Sequence, residues 1–298
     1  MRDWDFPTRD LTLDRLLGGG LAGAELLFEA LLRRGFLVFR DDEGIWLGTG
    51  SHPLDLGVLS KILTVGRVWD HPTRLASLDV APAEVPAAVR SILLVPQHRM
   101  WSSTGRRTTW ARYRKMVWGH RVPVSGAASM RSYTGYGGLD VGVALLVKAL
   151  PLARVHSVIS CDGHGTWPAY VRLNTTWDRA WAEAVLERYA PVHQHSSWSW
   201  PTHLELSVAP LGGYSDDAVW AMLGDIQSTA RRLMEAEVID ATGAARARTL
   251  ERLGATEPSR QRFLDVAREE LGLGPMPHRA SPHPFAGPEG LPWPDLRV

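Results

Sequence analysis

Val219, Leu223, Ile226, Ala230 and Leu233 recur in alternating steps of four and three, the spacing that puts side chains on one face of an α-helix. The stripe predicts a helix over 216–236, and that helix closes a series of elements whose order limits the fold. Leu139, Val143, Leu146 and Leu150 form a second stripe, predicting a helix over 139–150. Strands are expected at 155–160, 169–173 and 204–208. A helix is expected over 176–189, with Asp178 in its first turn, where a carboxylate suits the helix dipole. The C-terminal half therefore reads α-β-β-α-β-α. That order predicts an α+β fold, with helices packed on a mainly antiparallel sheet. Two more helices are expected over 243–253 and 259–271.

The N-terminal half is less regular. Leu26, Leu27, Ala30 and Leu31 predict a helix over 11–34, and Gly35 stands where a helix-ending glycine belongs. Residues 36–39 and 45–47 flank the turn residues Asp41 to Gly44, which predicts a hairpin. A helix followed by a hairpin outlines a winged-helix wing, but it is also a plain αββ unit, the simpler reading. Another helix is expected at 54–63. The apolar run Ser91–Val95, stopped by Pro96, reads as a buried strand. A helix at 106–118, a short strand at 122–124 and a Gly-, Ser- and Tyr-rich loop at 125–138 follow. This divides the chain into an N-terminal α/β region (1–124), a C-terminal α+β region (125–274) and an extended tail (275–298) holding seven prolines.

Charge is distributed unevenly. The net charge is +1, yet Val85 to Leu139 contains no Asp or Glu and nine Arg or Lys residues. Within it, Arg106, Arg107, Arg112, Arg114 and Lys115 interleave with Trp101, Trp110, Tyr113 and Trp118. Arginines contact phosphate and aromatic rings stack on bases, so this segment is a candidate contact for a nucleotide or single strand. Arg106, Arg107, Arg112, Arg114, Lys115 and Trp110 are the candidate binding residues. The alternative is an amphipathic helix that buries Trp110 and Val117 and solvates its arginines, although solvated helices usually mix charge signs. The chain holds 13 Trp, more than its six Phe and six Tyr together, and most are expected in the core.

The other informative segment is Ser160-Cys-Asp-Gly-His-Gly165, at the end of an expected strand. Two glycines let the backbone turn tightly around a histidine. Cys161 and His164 are suited to a thiolate–imidazole pair, with Asp162 as orienter. A plain structural turn fits the same residues, because Asp-Gly is a common turn pair and a cysteine after a strand commonly packs as a small hydrophobe. A metal site drawing on His193, His195 or His203 is a third reading, weakened by the absence of compact ligand spacing. The single cysteine excludes an internal disulfide. There is no phosphate-loop, dinucleotide-glycine, G-x-S-x-G or H-E-x-x-H pattern. No cofactor is identified.

A helix, a strand and then Ser160-Cys161-Asp162-Gly163-His164 resembles the tRNA wybutosine-synthesis methyltransferase family, the third enzyme of that pathway. There a Ser-Ser-Cys-Ser-Gly-Arg turn follows a helix and strand. The likeness covers about residues 139–173. His164 stands at the family's Arg position and Ile159 at its first Ser. The segment also resembles small uncharacterised proteins of phages and mobile elements with a Ser-Cys-x-Gly-His turn. The resemblance implies S-adenosylmethionine binding and tRNA modification.

The charged N-terminus, Met1 to Asp14, lacks the apolar region of a secretory signal, and no apolar run is long enough to span a bilayer. A cytoplasmic protein without membrane contact is the expectation. Two functions remain in view. In the first, the chain acts on a nucleotide or nucleic acid, as an enzyme or a binding protein, with Cys161, Asp162 and His164 as candidate catalytic residues. In the second, it is a non-catalytic interaction or regulatory subunit that meets a protein partner through tryptophans and the Pro-rich tail.

Overall fold

A computed structural model describes residues 19–48, 74–77, 81, 83–93, 141–163, 167–254 and 258–274. The expected helices at 54–63 and 106–118, the strand at 122–124, the regional boundary near 125 and the Pro-rich tail lie outside these residues.

Helix α1 (Gly23–Arg33) ends as its sequence predicts. The Gly35 N–H donates to Leu32 O (2.9 Å) and the Phe36 N–H to Leu31 O (3.0 Å), a closure that needs a left-handed residue between. Gly35 supplies it with φ 85°. A Cβ at this position would lie 2.4 Å from Ala144 Cβ, so the same glycine lets the end of α1 approach a later helix. The hairpin forms from β1 (Val38–Arg40) and β2 (Gly44–Leu47). Asp41 Oδ1 accepts the N–H groups of Glu43 and Gly44 (2.8 and 2.9 Å) and fixes the turn. A third strand, β3 (Arg74–Ser77), extends this antiparallel sheet in the order β1-β2-β3.

Helix α2 (Val85–Leu93) corrects the expected strand at 91–95. Val85, Ala88, Val89 and Ile92 are buried, and their spacing is that of a helix face. The apolar run at 91–93 is the last turn of that helix, since a short run has no period of its own. Helix α2 packs on α1.

The C-terminal half is α+β, with helix α3 (Val141–Ala149), strands β4 (Ser157–Cys161) and β5 (Ala169–Leu173), helix α4 (Thr176–Tyr189), strands β6 (Ser196–Ser199) and β7 (Glu205–Pro210), and helices α5 (Asp216–Leu233), α6 (Ala236–Leu253) and α7 (Arg260–Glu270). The expected order is present with one added strand, β6. The expected helix 216–236 stops at Leu233, the last residue of its stripe, and a new helix starts at Ala236. The sheet is antiparallel in the order β4-β5-β7-β6. Because β7 lies between β5 and β6 and is antiparallel to both, β5 and β6 run parallel. Helix α4 joins them in a split β-α-β unit.

Ala169, Val171 and Leu173 alternate into the core from β5, as do Leu206 and Val208 from β7. Helices α3 and α5 pack on this sheet and on each other. The N-terminal elements join the same helix layer. Gln227 of α5 donates to Leu32 O (3.3 Å). Glu29 of α1 accepts from Arg33 and from Arg231 of α5 (2.8 and 2.6 Å). Burial pushes the Glu29 carboxyl up, but the two guanidiniums outweigh it and hold it below its ordinary value. Among the described residues, one buried apolar cluster takes in both halves, with members from Ala24 of α1 to Leu271 after α7.

Trp181 of α4 is fully buried and donates its Nε1 hydrogen to Ala153 O (2.8 Å). Its ring and that of Phe263 lie 5.1 and 4.7 Å from the Arg246 guanidinium, which bridges α6 to α4 and α7. Trp181→Ala is expected to cost about 3–5 kcal/mol, read as a lower urea midpoint with an unchanged m-value. A loss under ~1 kcal/mol would show that the ring does not anchor this layer.

At the start of α4, Thr175 Oγ1 accepts the Asp178 N–H (2.9 Å), while Asp178 Oδ2 accepts the Thr175 hydroxyl (2.8 Å). Asp178 Oδ1 lies 3.3 Å from His156 Nδ1, just ahead of β4. The Asp178 hydrogen bond, opposed by burial, raises the His156 pKa. Burial pushes Asp178 up, but His156 and Thr175 outweigh it and hold its carboxyl low. The stability this pair contributes is fully present below the ordinary imidazole pKa, down to the carboxylate range. It is lost as pH rises through the raised value of His156. His156→Gln should therefore destabilise the protein more at pH 5.5 than at pH ~9, measured by denaturation across pH. An equal effect at both values would rule out the ion pair.

Candidate functional site

Strand β4 delivers the Cys161-Asp162-Gly163 turn to one end of the four-stranded sheet. A bulge between Ser157 and Ile159 resets its register, so that Ile159 pairs with Arg172 and Val158 has no cross-strand partner. After the bulge, Ser160 pairs with Val171 on the helix-facing side of the sheet. Cys161 falls on the opposite face, in one row with Tyr170 and Ser207. The next row on that face pairs Arg172 with Glu205, whose carboxyl burial pushes up against the opposing pull of Arg172.

Each described member of the turn has a structural partner. Cys161 is buried, and its Sγ accepts the Gly163 N–H (3.4 Å). Asp162 is only 3% exposed, and its Oδ2 accepts the Gly142 N–H in the first turn of α3 (3.2 Å). A carboxylate placed there satisfies an otherwise orphaned helix donor and faces the positive end of the helix dipole. Gly142 makes the approach possible, because a Cβ there would lie 2.8 Å from both Asp162 Cβ and Leu223 Cδ2. Gly163 has φ 75°, and a Cβ there would meet the Pro168 backbone at 2.9 Å. The Trp167 N–H then donates to Gly163 O (3.2 Å) and closes the turn.

These bonds limit the chemistry of the two residues. A reactive thiol needs thiolate character and access, whereas Cys161 is enclosed and bonded to its own turn. Asp162 commits an oxygen to helix α3. His164 lies outside the described residues, as do Arg106, Arg107, Trp110, Arg112, Arg114 and Lys115.

The other histidines are held elsewhere. His193 stacks on Trp198 with ring centroids 4.2 Å apart, and its Nε2 lies 2.9 Å from Thr229 Oγ1. Burial lowers its pKa. The His195 N–H and the Ser196 hydroxyl both donate to Asp225 Oδ2 (2.9 and 2.7 Å), joining the start of β6 to α5. Strand β6 is three positions from β4 in the sheet, about 14 Å at ordinary strand spacing. His193 and His195 precede β6, so they do not act as the strand pair their spacing offers. Among the described residues, no group of three or more His, Cys, Asp or Glu is placed to hold a metal ion. Nor do the described tryptophans form an exposed patch. Trp167 is exposed, Trp181 is buried, and Trp46, Trp177, Trp198, Trp200 and Trp220 are half-buried.

Sequence reasoning missed the partnership between position 142 and the turn. The acid-free stretch ends at Leu139, two residues before α3 begins, and the Gly142 N–H is bonded to Asp162. Helix α3, the first described element after that stretch, therefore starts against the Cys161-Asp162-Gly163 turn. Nothing in the local sequence links the two, since the pair is 20 residues apart.

Comparison with known proteins finds no family model, curated protein or solved structure that matches this chain.

Asp162→Ala should lower stability by about 1–3 kcal/mol, the cost of a lost helix cap and an unsatisfied donor. Asp162→Asn keeps an acceptor and should lose less than half as much. Equal urea midpoints for Ala, Asn and wild type would show that this bond does not anchor α3.

Proposed function

We propose that this chain binds a nucleotide or single-stranded nucleic acid through its acid-free segment, held in place at the 160–163 turn. The carrying observation is the Gly142–Asp162 hydrogen bond, which ties the first turn of α3 to the 160–163 turn at a residue three positions beyond Leu139, the end of that segment. The arginines and lysine at 106, 107, 112, 114 and 115 take phosphate, and Trp110 stacks on a base. Cys161 and Asp162 support this reading as fixed parts of the seat. His164 remains the turn's candidate for acid/base chemistry, because an imidazole titrates near neutral pH. The resemblance of the turn to an RNA-modifying family makes RNA the first ligand to test.

The test is titration of a labelled 20-nucleotide RNA single strand by fluorescence anisotropy across salt concentrations. Wild type should bind at low salt with a Kd at or below ~10⁻⁴ M, and log K should fall with log salt at about −0.7 per phosphate contact. A variant with Arg106, Arg107, Arg112 and Lys115 all replaced by Gln should flatten that slope by about 2–3. Trp110→Leu should weaken binding by about 1–3 kcal/mol. Circular dichroism confirms that each variant is folded. Absence of binding at low salt, or an unchanged slope in the fourfold variant, would overturn the proposal.

A further inference from the structure

We draw no further inference here: the strongest candidate, the face of the four-stranded sheet where the β4 bulge leaves Val158 and Ile159 exposed beside Arg172, is an apolar patch with nothing in the structure to show what covers it.

Discussion

Helix α3 is buried at every position from Gly142 to Ala149, and this condition shapes much of the molecule. A helix apolar on every side must be enclosed by other elements. Here the enclosing elements are α1 on one side and α5, β4 and β5 on the others. Enclosure raises two problems that the sequence solves locally. Neighbouring backbones must approach closely, and glycines at 35 and 142 allow it. The N–H groups of the first turn lose water, and Asp162 meets one of them. Even Lys148 follows this logic. Its ammonium lies 5.3 Å from the centre of the Phe36 ring, and its stem runs within the core.

The charged pairs that matter sit between layers. Glu29 receives Arg33 from its own helix and Arg231 from α5, and it is largely enclosed, so the Arg231 pair ties α1 to α5. Arg268 pairs with Glu187 and also donates to Gly274 O, which ties the end of α7 to α4. By contrast, Arg248 and Arg252 meet Glu269 and Glu270 at a solvent-facing contact of α6 and α7. Pairs of that kind contribute little, because water competes for both partners. Phe263, Leu264 and Ala267 of α7 are buried in the core, and the Phe263 ring lies 4.7 Å from the Arg246 guanidinium of α6.

The parts of the fold legible in the sequence were those with a period. Helix α4 and strand β5 lie where their patterns put them, and α1 ends at its glycine. Strand β6 was hidden because Ser-Ser-Trp-Ser has little strand preference of its own. It is held by pairing with β7 and by Asp225, both supplied from other parts of the chain. Helix α2 was misread because a four-residue apolar run fits either period. The break at Met234 was missed because the apolar stripe of α5 is followed at once by residues that also favour a helix. For the candidate site, the turn itself was legible from its glycines. The roles of Cys161 and Asp162 were not, because they depend on Gly142 and on burial that no local pattern encodes.

Asp162 carries the argument about chemistry one step further. A general acid or base must reach a substrate, yet this side chain is enclosed and holds the Gly142 N–H in the first turn of α3. Cys161 is limited in the same way, because moving its sulfur would release the Gly163 N–H and loosen a backbone that no other residue type fits. Both side chains are therefore engaged in holding the turn and the start of α3 in place. A catalytic function for this turn would have to rest on His164 and groups brought by the ligand or by the basic segment. The binding role proposed for the basic segment, by contrast, asks no reaction of either side chain and leaves the Gly142–Asp162 bond intact.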